Sequence, residues 1–135
     1  MKSSFYHLQV NIDFKNVSFY KNLMTALGWT GIFEDKDVVG FTSGSSGDIW
    51  FLESDTQETA DYDARGVNHV AIKVEELKDV DEVATFLKDQ DISLLFDTPK
   101  HRAEFASSED QTYYQIMFES PDKVLFEIVY VGAKK

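Results

Sequence analysis

Over residues 5–12 the chain alternates, with Leu8, Val10 and Ile12 on one side and His7, Gln9 and Asn11 on the other. That period of two predicts a strand with one buried face. Phe19, Tyr20, Leu23, Met24 and Leu27 then recur at near-helical spacing, with Asp13 or Asn16 placed to cap a helix and Gly28 placed to end it. Residues 29–33, 37–42 and 48–53 read as three short strands separated by EDKD and the turn-rich SGSSG. The order is βαβββ.

After a polar, acidic stretch at 54–66 the same order restarts. Residues 68–74 form a strand with Val70, Ile72 and Val74 on one face and His69, Ala71 and Lys73 on the other. Residues 79–89 form a helix whose Asp79 and Glu82 suit a capping box and whose Val80, Val83, Phe86 and Leu87 make the buried stripe. Strands at 93–96, 112–118 and 123–131 complete the second unit. HLQVN heads the first unit and HVAIK the second, so the chain reads as a duplication. The fold class predicted is α+β, one domain over residues 1–135 made of two paired βαβββ modules. Module one spans 4–54, the linker 54–66 and module two 67–132.

One residue disturbs this pattern. The last strand, KVLFEIVYV, is apolar on both faces except for Glu127. An isolated buried carboxylate costs several kcal/mol or neutralises itself, so a Lys or Arg, a protonated His or a metal ion should meet it. Pairing of the two modules would bring the equivalent first strands and the last strand together, so that His7, His69 and Glu127 converge. Two imidazoles and one carboxylate suit a divalent metal with open positions. At such long sequence separation the same residues also fit ordinary half-buried histidines and a carboxylate paired with a lysine such as Lys73, which would make the domain catalytically silent.

Composition narrows the function classes. The chain has 135 residues, enough for one core, and a formal net charge of −11, which repels phosphate backbones and anionic lipid surfaces. Nucleic-acid and membrane partners are therefore not expected. There is no cysteine, hence no disulfide or thiolate chemistry, and no run approaching the ~20 apolar residues of a membrane span. MKSSFYHLQV lacks the apolar core of a signal peptide, so a cytoplasmic protein is expected. Eleven Phe and six Tyr point to an aromatic-lined interior or pocket.

The element order, the strand-heading His7 and His69, the helix FYKNLMTALGW and the run YYQIMFESPDKVLFEIVYV together resemble the vicinal oxygen chelate superfamily. That superfamily includes glyoxalases, extradiol dioxygenases, fosfomycin-resistance enzymes and bleomycin-binding proteins. The resemblance implies paired modules forming a U-shaped, partly open mixed sheet with helices outside, a homodimer, and one divalent ion (Fe, Mn, Zn or Ni). It assigns His7, His69 and Glu127 as metal ligands. It also implies a glyoxalase-like lyase or isomerase, or a dioxygenase, acting on a small substrate with vicinal oxygens. The alternative it offers is a metal-free binding protein of the bleomycin-resistance type, to which the acidity and aromatic richness of the chain are suited.

Two departures from the family pattern matter. Laying DIWFLE beside KVLFEI sets Leu52 opposite Glu127 and leaves Glu53 one residue late, so Glu53 reaches the metal as a fourth ligand only across a bulge. Three ligands are therefore expected. Ser120-Pro121-Asp122-Lys123 stands where the family has D-P-D-G, so the turn lacks glycine's freedom at positive φ. Few basic residues lie near the presumed site beyond Lys73, Lys100 and Arg102, which disfavours the fosfomycin transferases.

Further candidates follow from alternation. Gln9 and Asn11 share the face of His7 and are candidate substrate-binding residues, with Trp50 as pocket wall. Tyr113, Gln115 and Met117 share one face of their strand and Tyr114, Ile116 and Phe118 the other, so only one of the candidate catalytic tyrosines, Tyr113 or Tyr114, faces the cavity. His101, in the loop TPKHRAEF, is a candidate acid/base or lid residue because imidazole titrates near neutrality, and it equally fits a solvated loop histidine. Glu53 completes the catalytic candidates.

Overall fold

The structure is a computed structural model and describes residues 1–134. The chain divides into two compact units, Met1–Glu58 and the remainder from Thr59, with the division inside the acidic stretch. Each unit is a four-stranded mixed sheet with one long helix. The first sheet runs β1-β4-β3-β2 and the second β5-β8-β7-β6, so the two share one topology: the first strand pairs parallel with the last, and the others are antiparallel.

In the first unit β1 is His7–Ile12, α1 Val17–Ala26, β2 Thr30–Asp35, β3 Val38–Thr42 and β4 Asp48–Glu53. Asp13 begins the helical stretch by accepting the Lys15 N–H at 3.1 Å, capping a single 3-10 turn, Phe14–Asn16, that leads into α1. Gly28, at φ +80, ends it. Trp29 N–H donates to Met24 O and Gly28 N–H to Thr25 O, the paired bonds of a Schellman cap. Phe19, Tyr20, Leu23 and Met24 are buried in the core with Val10, Ile12, Val39, Phe41, Ile49 and Phe51. Tyr20 lies 4.5 Å from Phe51 between ring centroids. The opposite sheet face carries His7, Gln9 and Asn11 beside Asp48, Trp50 and Leu52, as the register requires.

In the second unit β5 is Val70–Val74, α2 Leu77–Asp89, β6 Lys100–His101, β7 Gln111–Glu119 and β8 Leu125–Ala133. Helix α2 starts two residues before the predicted 79, and the cap is shifted accordingly. Glu76 is the N-cap, and its N–H donates to Asp79 Oδ2 at 3.0 Å, so Asp79 plays the part expected of Glu82. Val80, Val83 and Leu87 are buried, whereas Phe86 is half-buried. The helix closes with the same bond pattern as α1: Ile92 N–H reaches Leu87 O and Asp91 N–H reaches Lys88 O, with Asp91 at φ +58 where α1 has glycine.

The strand expected at 93–96 is absent. Leu94 makes one isolated bridge to Phe118, and then Phe96 and Asp97, at φ +56 and +60, turn the backbone out of extended conformation. Thr98 replaces part of the lost ladder, its Oγ1 donating to Leu95 O at 2.7 Å and accepting from Met117 N–H at 3.1 Å. The fourth strand is the two-residue β6 instead.

The turn before β8 forms without glycine. Lys123 N–H donates to Ser120 O at 2.9 Å, Val124 N–H donates to Ser120 Oγ at 3.1 Å, and Lys123 itself takes φ +58. A side chain in that region is disfavoured by about 1 kcal/mol, partly offset by the larger unfolded-state entropy of glycine. Lys123→Gly is therefore expected to stabilise the protein by roughly 0.5 kcal/mol, seen as a higher urea midpoint with unchanged slope. A lower midpoint would show that the lysine side chain contributes more than its backbone strain costs.

Candidate functional site

Glu127 lies in the middle strand pair of the second unit and is 3% exposed. Alternation gives β8 two faces. Phe126 and Ile128 point to the α2 side with Phe118, Ile116 and Ile72, while Glu127 points to the other with Met117, Gln115 and Tyr113 across β7 and Ala71 across β5. His69 precedes β5 on that side.

Four side chains answer the carboxylate. The Tyr113 hydroxyl donates across both oxygens, 3.1 Å from Oε1 and 3.0 Å from Oε2. Gln115 Nε2 donates to Oε2. His69 Nε2 stands 3.6 Å from Oε1. Arg102 Nε donates to Gln115 Oε1 at 2.8 Å and so reaches Glu127 at one remove. The ion-pair contact of Glu127 among the described residues is with His69, not with a lysine. Phe105 packs edge-on against Tyr113 at 5.3 Å between centroids.

The imidazole is oriented from behind. Asn68 Nδ2 donates to Tyr62 O at 2.7 Å, which turns Asn68 Oδ1 toward His69 Nδ1 at 2.8 Å. An amide oxygen only accepts, so Nδ1 carries a proton and Nε2 is the ring nitrogen turned toward Glu127. This is how proteins orient metal-binding histidines. Tyr62 is itself tethered, its hydroxyl donating to Glu119 Oε1 at 2.6 Å. An imidazole nitrogen and a carboxylate oxygen facing each other form a donor pair that fits a divalent ion. No group of three His, Cys, Asp or Glu side chains suited to a metal occurs among the described residues.

The other predicted residues divide by unit and by face. In the first unit, His7, Gln9 and Asn11 share the face away from α1, and Gln9 Nε2 donates to Asn11 Oδ1 at 3.0 Å. Trp50 is on that face too, lying across Gly40, where an added Cβ would come within 2.7 Å of the indole, and 5.8 Å from the Phe33 ring. Glu53 is engaged elsewhere. Its Oε2 accepts the Phe14 N–H at 2.7 Å, satisfying a donor at the entry to the helical stretch, and β4 pairs with β1 and β3 without the bulge a ligand role requires.

In the second unit Tyr113 faces Glu127 and Tyr114 does not. Tyr114 donates to Asp81 Oδ1 on α2 at 2.7 Å. His101 pairs with Tyr114 across the ladder, stacks on its ring at 4.4 Å and shares a 2.6 Å bond with Thr112 Oγ1. It belongs to the α2 side of the sheet, away from Glu127. The residues not assigned a role from sequence are Asn68, Gln115 and Arg102. The period of two already set Gln115 on the face of Tyr113, but its link to Arg102 depends on how the loop after β6 returns, with Arg102 N–H donating to Tyr113 O at 2.7 Å.

No protein-family model matches the sequence, and no curated protein matches it. Solved structures do. A candidate glyoxalase from Bacillus halodurans superposes with a TM-score of 0.75 at 21% identity, over 93% of each chain. A glyoxalase/bleomycin resistance protein from Albidiferax ferrireducens T118 gives 0.73 at 15% identity, over 93% of this chain and 98% of that one. The chain has the glyoxalase/bleomycin resistance protein fold. A third structure with this fold is the fosfomycin resistance protein FosX from Listeria monocytogenes, complexed with Mn(II) and sulfate ion. Its TM-score is 0.67 at 19% identity, over 96% of this chain and 91% of that one. At these identities the likeness is one of fold. No helix among the described residues is long and apolar enough to cross a membrane.

The Tyr113 hydroxyl is pushed up to about 12, first by burial and then by its bond to the Glu127 carboxylate. The folded value lies above the ordinary ~10 of the unfolded chain, so the stability it contributes is complete below pH ~10 and is lost as pH rises toward 12. The gap in unfolding free energy between the protein and Tyr113→Phe is therefore expected to narrow between pH 10 and 12, measured by urea denaturation. A gap constant over that range would refute the bond.

Proposed function

We propose that the protein is a metal-dependent enzyme of the vicinal oxygen chelate type, with His7, His69 and Glu127 as ligands of one Fe, Mn, Zn or Ni ion. The observation that carries this reading is the buried Glu127 facing a histidine whose Nδ1 is fixed by Asn68, leaving Nε2 directed at the carboxylate. Fixing of one ring nitrogen by a hydrogen-bond acceptor is how metal-binding histidines are held. The ion would supply Lewis-acid polarisation of two neighbouring oxygens of a small substrate. Lyase, isomerase and dioxygenase chemistry all use such polarisation.

The chain's own contributions are more specific. Tyr113, with its proton held well above neutral pH, is a hydrogen-bond donor at the site rather than a base. Phe105, 60% exposed against Tyr113, offers an apolar edge to a substrate. Gln9 and Asn11 are polar groups on the face of His7. His101, Tyr114 and Glu53 have no part in this proposal because their partners lie elsewhere. The proposed assembly is a cytoplasmic homodimer.

A second reading has its own support. Trp50 and Phe33 form an open aromatic platform in the first unit, and the chain carries a net charge of −11. Those features suit a metal-free protein that sequesters a cationic aromatic compound.

Metal content separates the two. Elemental mass spectrometry of untagged protein purified without chelators is expected to give about one divalent ion per chain, as one three-ligand site requires. His7→Ala, His69→Ala and Glu127→Ala are each expected to lose it. Absence of metal, together with no rise in melting temperature on adding Mn, Fe, Zn or Ni, would rule out the enzyme as stated and favour the sequestering protein.

A further inference from the structure

Glu127 is not held symmetrically. Oε2 receives two donors, Gln115 Nε2 and Tyr113, whereas Oε1 receives only the shared Tyr113 proton and faces His69 Nε2. What makes the difference is the direction of the Gln115 amide. A carboxamide has one accepting and one donating end, and turning it over would set its oxygen against a carboxylate. The group that forbids the turn is Arg102.

A guanidinium only donates, and its Nε–H reaches Gln115 Oε1 at 2.8 Å. Arg102 is anchored at both ends. Its backbone N–H bonds Tyr113 O, its NH2 group reaches Phe96 O at 3.4 Å, and its NH1 group lies 3.9 Å from Glu104. Its side chain is only 22% exposed, so it holds one arrangement rather than several. Gln115, itself 3% exposed, has no solvent to turn toward.

We propose that Arg102 is a positioning residue for Glu127, acting through Gln115 to hold Oε2 and leave Oε1 as the oxygen available for coordination. The assignment rests on the metal-centre reading for its consequence, though not for the relay itself. It predicts one-oxygen binding by Glu127, because the second oxygen is already committed to two donors. It also gives a cation a constructive part beside a cation site. By simple electrostatics the guanidinium should weaken metal binding, and its removal should strengthen it. The relay makes the opposite forecast.

The experiment compares the full chain with Arg102→Met, Gln115→Leu and the double variant, with Arg102→Lys as the conservative control. The first readout needs no metal: the side-chain amide protons of Gln115 in a ¹H–¹⁵N spectrum, where bonding to a carboxylate shifts one of the pair downfield. That shift is expected to collapse in Arg102→Met and in Glu127→Gln while the backbone spectrum stays folded, and to return in part in Arg102→Lys. The second readout is Mn²⁺ binding by calorimetry. Loss of a residue that orients a ligand typically weakens binding about 10- to 100-fold. Arg102→Met is expected to fall in that range, with no further loss when it is added to Gln115→Leu.

An unmoved Gln115 resonance overturns the relay, as does Mn²⁺ binding that is unchanged or tighter in Arg102→Met. Additive losses in the double variant also overturn it, since Arg102 would then act by another route. If the protein itself binds no Mn²⁺ while the Gln115 resonance still collapses in Arg102→Met, the relay stands and the metal-centre reading fails.

Discussion

A carboxylate at 3% exposure must be supplied with donors, and the second unit is arranged to supply them. Strand β8 brings Glu127 to the middle of the sheet, β7 sets Tyr113 and Gln115 on the same face, and the segment leading into β5 delivers His69. The surrounding segments then hold those donors in place: Asn68 behind His69, Arg102 behind Gln115 and Phe105 against Tyr113. No buried side-chain polar atom among the described residues is left without a partner. The polar network is complete, which is the condition under which such a network rigidifies its surroundings rather than weakening them.

The two units share a topology and differ in what they do with it. Both helices end in the same bonded cap, once through Gly28 and once through Asp91 in the same left-handed region. Both last strands pair parallel with the first. Yet β8 carries Glu127 opposite the second residue after His69, where β4 carries Trp50 opposite the second residue after His7, so the open face of the first sheet holds Trp50 and Phe33 instead of a hydrogen-bonded carboxylate. One copy of the duplicated pattern holds a polar network and the other an aromatic platform.

Most of this was legible in the sequence because it depends on a period of two. The faces of β1, β5, β7 and β8 follow directly from alternation, including the separation of Tyr113 from Tyr114. The α+β class and the family likeness rest on the order of elements. Alternation carries no information where the backbone leaves the strand. Phe96 and Asp97 at positive φ removed a strand that hydrophobicity favoured, and His101 had no predictable face until the short β6 paired it with Tyr114. The link from Arg102 to Gln115 was hidden for a related reason: it joins a loop to a strand, and neither residue's immediate neighbours announce it. The start of α2 was misplaced by two residues because both Glu76 and Asp79 are competent caps, and the structure uses the earlier one.

The bond from Phe14 N–H to Glu53 narrows how this scaffold can change. A carboxylate that accepts the first N–H of a helical stretch contributes to folding, and drawing it away would leave that exposed donor to water. The acid of β4 that does lie on the face of His7 is Asp48, opposite His7 in the register, with Trp50 and Leu52 following it on that face. The two acids that bound β4 are thus divided between roles: Glu53 serves the helix entry, and Asp48 is the one left beside His7.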